Sequence, residues 1–189
     1  MKCVALTMLE QAAPERSEER DAIDRRWTAL LGQCGLDPIF LPNDAEAARR
    51  LLEALPLSGA VLTGGGRANG AWAQSTARDR VEREIEAWSA AHRLPIMGVC
   101  RGMQALLAWE GLAPVRLEGH VRARHRLDVD SRIVNSYHEY GFQNGVDPYR
   151  VRAHAEDGSI DGSRMPIAGA WASCGTPNGS SPSQRRMSA

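Results

Sequence analysis

Along this chain, short apolar runs alternate with stretches whose apolar residues recur every three or four positions. Residues 3–8 are apolar and predict a strand. Ile23, Trp27, Leu30, Leu31 and Cys34 then mark one face of a helix. Gly35 ends it, because glycine takes the left-handed turn at a helix C-terminus without a Cβ penalty. Residues 38–41 predict a second strand, 45–55 a helix and 59–63 a third strand. Val81, Ile85 and Trp88 stripe another helix, whose Glu and Arg side chains are expected to face solvent. Residues 94–99 predict a fourth strand, which runs into a glycine-flanked turn and a further helix marked by Met103, Leu106 and Leu107. This alternation predicts an α/β fold, a mostly parallel sheet with helices on both faces. In such sheets chemistry gathers at the carboxyl ends of the strands, where Gly64-Gly65-Gly66 and Cys100 both fall.

Beyond Gly111 the pattern loosens. Residues 120–134 are rich in Arg and His with short apolar insertions and predict antiparallel strands and loops. The segment from Cys174 to the end is rich in Gly, Ser and Pro with almost no apolar side chains, the composition of a disordered tail.

The 189 residues fit one domain with its own core. Basic and acidic side chains balance at 23 each, so no global charge draws the chain to nucleic acid or an anionic membrane. No apolar run reaches the length of a membrane span, and the amino terminus lacks the charged and apolar sections of a signal peptide. A cytoplasmic location is expected. Cys3, Cys34, Cys100 and Cys174 lack CxxC spacing, which argues against zinc and against a disulfide framework. Cys3 and Cys34 read most simply as core or inert thiols.

Cys100 reads differently. It stands between Gly98 and Gly102 where an apolar strand meets a helix. Glycines permit the sharp bend, and the bend exposes the residue at the strand end. The helix N-terminus favours an anion, so the thiol is expected to have a lowered pKa. His120 and His125, five apart, suit neither a helical metal pair nor one face of a strand, and no metal site is expected. Gly64-Gly65-Gly66 is no dinucleotide fingerprint, since no GxGxxG opens a helix there.

The motif Gly98-Val99-Cys100-Arg101-Gly102-Met103-Gln104 resembles the nucleophile elbow of class I glutamine amidotransferases, whose triad is Cys-His-Glu. PIMGVCRGMQ (residues 95–104), GAVLTGG (59–65) and VNSYHEYG (134–141) are similar to the γ-glutamyl-γ-aminobutyrate hydrolase branch. In wording the chain looks most like cytidine-diphosphoramidyl-glutamine hydrolases of capsule synthesis. The resemblance implies a flavodoxin-like fold, no cofactor, and a small γ-glutamyl substrate. It implies Cys100 as nucleophile and the backbone amides of Gly65 and Arg101 as oxyanion hole. Gln104, Asn135, Ser136, Tyr137 and His138 would hold the glutamyl group. Arg16, Arg20, Asp21, Asp24 and Trp27 resemble an early helix of relatives acting on nucleotide-linked glutamine. A homodimer or a synthetase partner is compatible with the family.

The resemblance stops near Gly169. Its late W-H-P-E segment, which supplies the triad His and Glu, is replaced by Ala170-Trp171-Ala172-Ser173-Cys174-Gly175-Thr176-Pro177-Asn178-Gly179, and no histidine follows His154. Codons for residues 171–180, read from the last base of the tryptophan codon, permit Gly-Ile-Met-Trp-His-Pro-Glu-Arg-Glu. We therefore expect a single-base frameshift near Ala170, a domain over 1–169 with its final strand lost, and an out-of-frame, disordered tail over 170–189. Two functions follow: a γ-glutamyl hydrolase with a corrupted carboxyl terminus, or an inactive relative that keeps only a glutamyl pocket.

Overall fold

The computed structural model describes residues 2–66, 76–144, 147, 149–164 and 171–173. The chain runs β1 (Lys2–Thr7), β2 (Leu9–Ala13), β3 (Glu18–Ala22), α1 (Arg26–Gln33), β4 (Leu36–Leu41), α2 (Ala45–Ala54) and β5 (Leu57–Leu62). It continues through α3 (Ala77–His92), β6 (Ile96–Val99), α4 (Arg101–Trp109), β7 (Val115–Arg116), β8 (Val121–Arg126) and β9 (Ile133–Tyr137). It closes with β10 (Tyr140–Gly141), β11 (Arg150–His154), β12 (Ile160–Arg164) and β13 (Trp171–Ser173). Seven strands form the central sheet in the order β11-β12-β13-β6-β5-β1-β4. The five from β13 to β4 are parallel, and β11 and β12 extend one side antiparallel.

Side chains alternate across the sheet as strand geometry requires. On one face Val4, Leu6, Val61 and Val99 pack with Trp27 and Leu31 of α1. On the other, Ala5, Ala60, Leu62 and Ile96 pack with Leu52 of α2, Val81, Ile85 and Trp88 of α3, and Met103 and Leu107 of α4. The helices begin where their caps place them. Asp44 accepts from the Ala47 N–H, and Thr76 and Asp79 form a reciprocal capping box at the start of α3. This is the α/β architecture that the alternation predicts.

Four features differ from the sequence expectations. The sheet does not stop before residue 170: β13 lies between β12 and β6, with Trp171 opposite Met97 and Ser173 opposite Val99. Its short run has the backbone donors and acceptors to fill that gap whatever its side chains. Arg16 lies in a 3-10 turn and Arg20 and Asp21 in β3, so the early charged residues build an exposed β2–β3 hairpin before α1 starts. Cys34 caps α1 and is exposed, which removes the core alternative and leaves the inert one. Arg78 and Glu82 of α3 are buried, not solvated, because they pair with each other and with groups at the strand ends. Among the described residues no helix is long and apolar enough to cross a membrane.

Candidate active site

β6 ends at Val99, α4 starts at Arg101, and Cys100 makes the whole turn between them with φ 52° and ψ −111°. A non-glycine residue there is strained, and such strain persists only where the surroundings over-determine it. The glycines explain how the turn closes. A Cβ on Gly98 would lie 2.5 Å from the backbone of Gly102, and one on Gly102 would lie 2.2 Å from the Leu62 carbonyl oxygen. A Cβ on Gly64 would stand 3.0 Å from that of Cys100. Strand β5, the loop after it and the first turn of α4 thus meet at backbone contact, which glycine alone allows.

The backbone N–H groups of Gly65 and Arg101, the two amides that the resemblance implies, lie near enough to the Cys100 sulfur to favour its thiolate. The thiol is nevertheless held above its ordinary pKa, contrary to the sequence expectation. Burial dominates, since Cys100 is 7 % exposed, and it outweighs the two amides and the nearby guanidiniums of Arg78 and Arg101.

Behind the loop lies a buried ion-pair network that the sequence reading missed. Arg78 donates from Nε to Glu82 at 2.8 Å, from Nη1 to the Gly65 carbonyl at 2.9 Å and from Nη2 to the Thr63 carbonyl at 2.6 Å. Arg101 donates to the other Glu82 oxygen at 2.6 Å and pairs with Asp79. Glu82 is fully buried. Thr63 is fixed from its far side, its N–H donating to Thr7 Oγ1 at 2.9 Å and its hydroxyl donating to the Thr7 carbonyl at 3.0 Å. The i, i+4 spacing of Arg78 and Glu82 was visible in the sequence, but such pairs ordinarily lie on a solvated helix face.

The residues proposed to hold a glutamyl group fall into two sets. Gln104 is buried one turn along α4 and donates to the Tyr140 carbonyl, while its own carbonyl oxygen has no partner among the described residues. Asn135, Ser136 and His138 are buried at the end of β9, whereas Tyr137 is 52 % exposed. Ser136 Oγ donates to the His120 carbonyl at 2.6 Å. His138 Nδ1 lies 2.9 Å from the Tyr140 carbonyl, the same oxygen that Gln104 bonds. A carbonyl only accepts, so Nδ1 carries the proton, and the buried Nε2, without a partner among the described residues, keeps its lone pair. Strand β9 is therefore tied through Tyr140 to the helix that Cys100 starts.

The fold also gathers histidines that lie apart in sequence. The ring centroids of His120 and His125 are 4.0 Å apart, and those of His120 and His138 are 5.1 Å apart. His120 Nε2 bonds Asp157 at 2.8 Å. Burial, followed by the repulsion of His120, lowers His138 to about 4. Nothing at the sequence level predicted this cluster, because a bulge between Val121 and Ala123 shifts the register of β8. Among the described residues no group of His, Cys, Asp or Glu side chains is arranged to hold a metal ion.

A strained cysteine at a strand–helix turn, at the carboxyl end of a parallel sheet, is the way an α/β protein presents a nucleophile. The chain belongs to the peptidase C26 family, whose profile matches residues 3–125. Three solved structures share the fold. A protein described as one subunit of GMP synthase, from Thermoplasma acidophilum, has a TM-score of 0.66 at 18 % identity, covering 92 % of this chain and 82 % of its own. PurLQS from Thermotoga maritima gives 0.62 at 17 %, with 94 % and 88 % covered. A glutamine amidotransferase from Thermotoga maritima gives 0.64 at 13 %, with 91 % and 74 % covered. No curated protein matches the chain. The likeness to these three structures shows the fold.

Proposed function

We propose that this protein hydrolyses a γ-glutamyl amide through a thioester on Cys100. The observation that carries the proposal is the pair of backbone N–H groups, from Gly65 and Arg101, aimed at the sulfur of a strained, turn-borne cysteine. The thiolate attacks the side-chain amide carbon, and the charge that develops on the carbonyl oxygen is met by those two donors. Collapse breaks the C–N bond, and the amine leaves with a proton. Water then attacks the thioester carbon, releasing glutamate and returning the thiol. Gln104, Asn135, Ser136, Tyr137 and His138 hold the glutamyl group in this reading.

The thiol proton needs a base, and its burial makes that need acute. The family places its His and Glu just after a late strand. β13 ends with Ser173 opposite Val99, level with the elbow. We favour a frameshift near Ala170 that replaces a Trp-His-Pro-Glu segment, with the domain reaching past 169 to include β13, since Trp171–Ser173 pair within the central sheet.

For the substrate we favour a glutamine conjugate of a nucleotide phosphoramidate, as used in capsule or surface polysaccharide synthesis. Arg124 lies opposite Asn135 in the β8–β9 hairpin. Among the described residues Arg122 and Arg124 pair with no carboxylate, which leaves both cations for a phosphate. A second reading, an inactive relative with a glutamyl pocket, is favoured by the absence of any histidine after His154. A synthetase partner that activates the site is a third, since the structural neighbours include PurLQS and one subunit of GMP synthase.

The test is glutamate release, followed by mass spectrometry, from γ-glutamyl amides and nucleotide-linked glutamine. It is run on this chain and on a version with the shifted frame restored. Release by the restored chain that vanishes in Cys100→Ser supports the hydrolase. No release from any γ-glutamyl amide, or release that survives Cys100→Ser, overturns it.

A further inference from the structure

We propose that Arg78 is the positioning residue of the oxyanion loop, a guanidinium clamp that fixes the Gly64–Gly65 peptide with its N–H toward Cys100. The idea rests on the thioester reading for its purpose, but its geometry stands apart from any turnover.

The carbonyls that Arg78 holds belong to Thr63 and Gly65. These lie on the peptide planes immediately before and after the one whose N–H faces the sulfur. The plane between them joins two glycines, and Gly65 sits at φ +81°. Glycine visits either sign of φ at little cost, so this peptide could turn over about its long axis with no side chain to obstruct it. Turned over, it would present the Gly64 carbonyl to the sulfur in place of the Gly65 N–H, and an acceptor there repels a developing oxyanion. Nothing within the loop's own sequence selects the productive face. Arg78 restricts that rotation. Its planar fork holds both flanking carbonyls, so the two ends of this peptide are pinned. The peptide can then turn over only by a concerted rotation at Gly64 and Gly65, and not by loosening of the loop.

The same buried carboxylate fixes both halves of the hole. One oxygen of Glu82 holds the Arg78 fork, and the other holds the side chain of Arg101, whose backbone N–H is the second donor to the sulfur. Asp79 grips Arg101 from the helix start, where the capping box already orders it. A lysine at position 78 would retain charge but could not span two carbonyls and a carboxylate at once.

The test needs no substrate, so it succeeds or fails whether or not the chain proves to be a hydrolase. Amide hydrogen exchange is measured on a peptide covering residues 60–66, and the Cys100 peptide is followed by mass spectrometry during alkylation with iodoacetamide. In Arg78→Ala, exchange in the loop and alkylation of Cys100 should both quicken by roughly tenfold or more, as local opening is released from charge-assisted hydrogen bonds. Guanidinium ion at low millimolar concentration should restore slow exchange, and sodium ion should not. Arg78→Lys should recover only part of the protection. Leu52→Ala, a core truncation in α2 remote from the loop, supplies a destabilised comparison with an intact clamp. If Arg78→Ala leaves loop exchange and alkylation at the parent values, the clamp does not exist. If Leu52→Ala loosens the loop equally, or guanidinium fails to rescue Arg78→Ala, the role of Arg78 is general stability and the proposal is overturned.

Discussion

The closest backbone approach at the site makes Gly102→Ala the sharpest test of how the turn is built. An added Cβ would lie 2.2 Å from the Leu62 carbonyl oxygen and 2.7 Å from its carbonyl carbon, where real contacts essentially never fall below 3.0 Å. The obstacle is the backbone of β5, a central strand, so no side-chain rotation relieves it. Helix α4 and β5 must part by close to an ångström, and Leu62 leads directly into the Thr63-Gly64-Gly65 loop. Overpacking of this kind costs about 3 kcal/mol, the upper end of its ordinary range. For a chain of this length that lowers Tm by about 6–12 °C. Gly32→Ala provides the opposing arm. Gly32 lies within α1 with nothing within 4 Å of an added Cβ, so alanine should stabilise by about 0.5–1 kcal/mol. Thermal and urea unfolding of the two variants against the parent measures both. The reasoning is refuted if Gly102→Ala melts within about 2 °C of the parent, because the elbow would then not depend on glycine at that contact.

Two other perturbations have defined outcomes. His138 is held at about 4 by burial and by His120, against 6.5 ordinarily, so on acidification the unfolded chain takes up this proton first. Its contribution is present in full above pH 6.5 and is lost as pH falls toward 4, about 3 kcal/mol in all. Melting curves across that window should therefore slope less steeply in His138→Gln, and an unchanged slope would remove His138 from the acid transition. Thr76→Ala deletes the hydroxyl that accepts the Asp79 N–H at 3.1 Å and should cost about 1 kcal/mol by urea unfolding, with no loss meaning that the cap is redundant.

The sequence by itself determined the α/β alternation, the parallel sheet and the elbow. Each rests on a local rule: apolar residues at strand or helix spacing, and glycines where a bend admits no Cβ. Gly65 and Arg101 as oxyanion donors rest on the family resemblance rather than on such a local rule. Only tertiary structure decided the rest. Arg78 and Glu82 read as an ordinary exposed helical pair until α3 packed against β5, β1 and β2 and closed water away from them. His120, His125 and His138 became neighbours through a bulged hairpin and a distant Asp157, none of which has a periodic signature. The Cys100 thiol followed the same logic. Its place at a helix N-terminus argued for a lowered pKa, but the depth at which the fold buries it reversed the sign, because desolvation penalises an anion more than two amides and two screened guanidiniums recover.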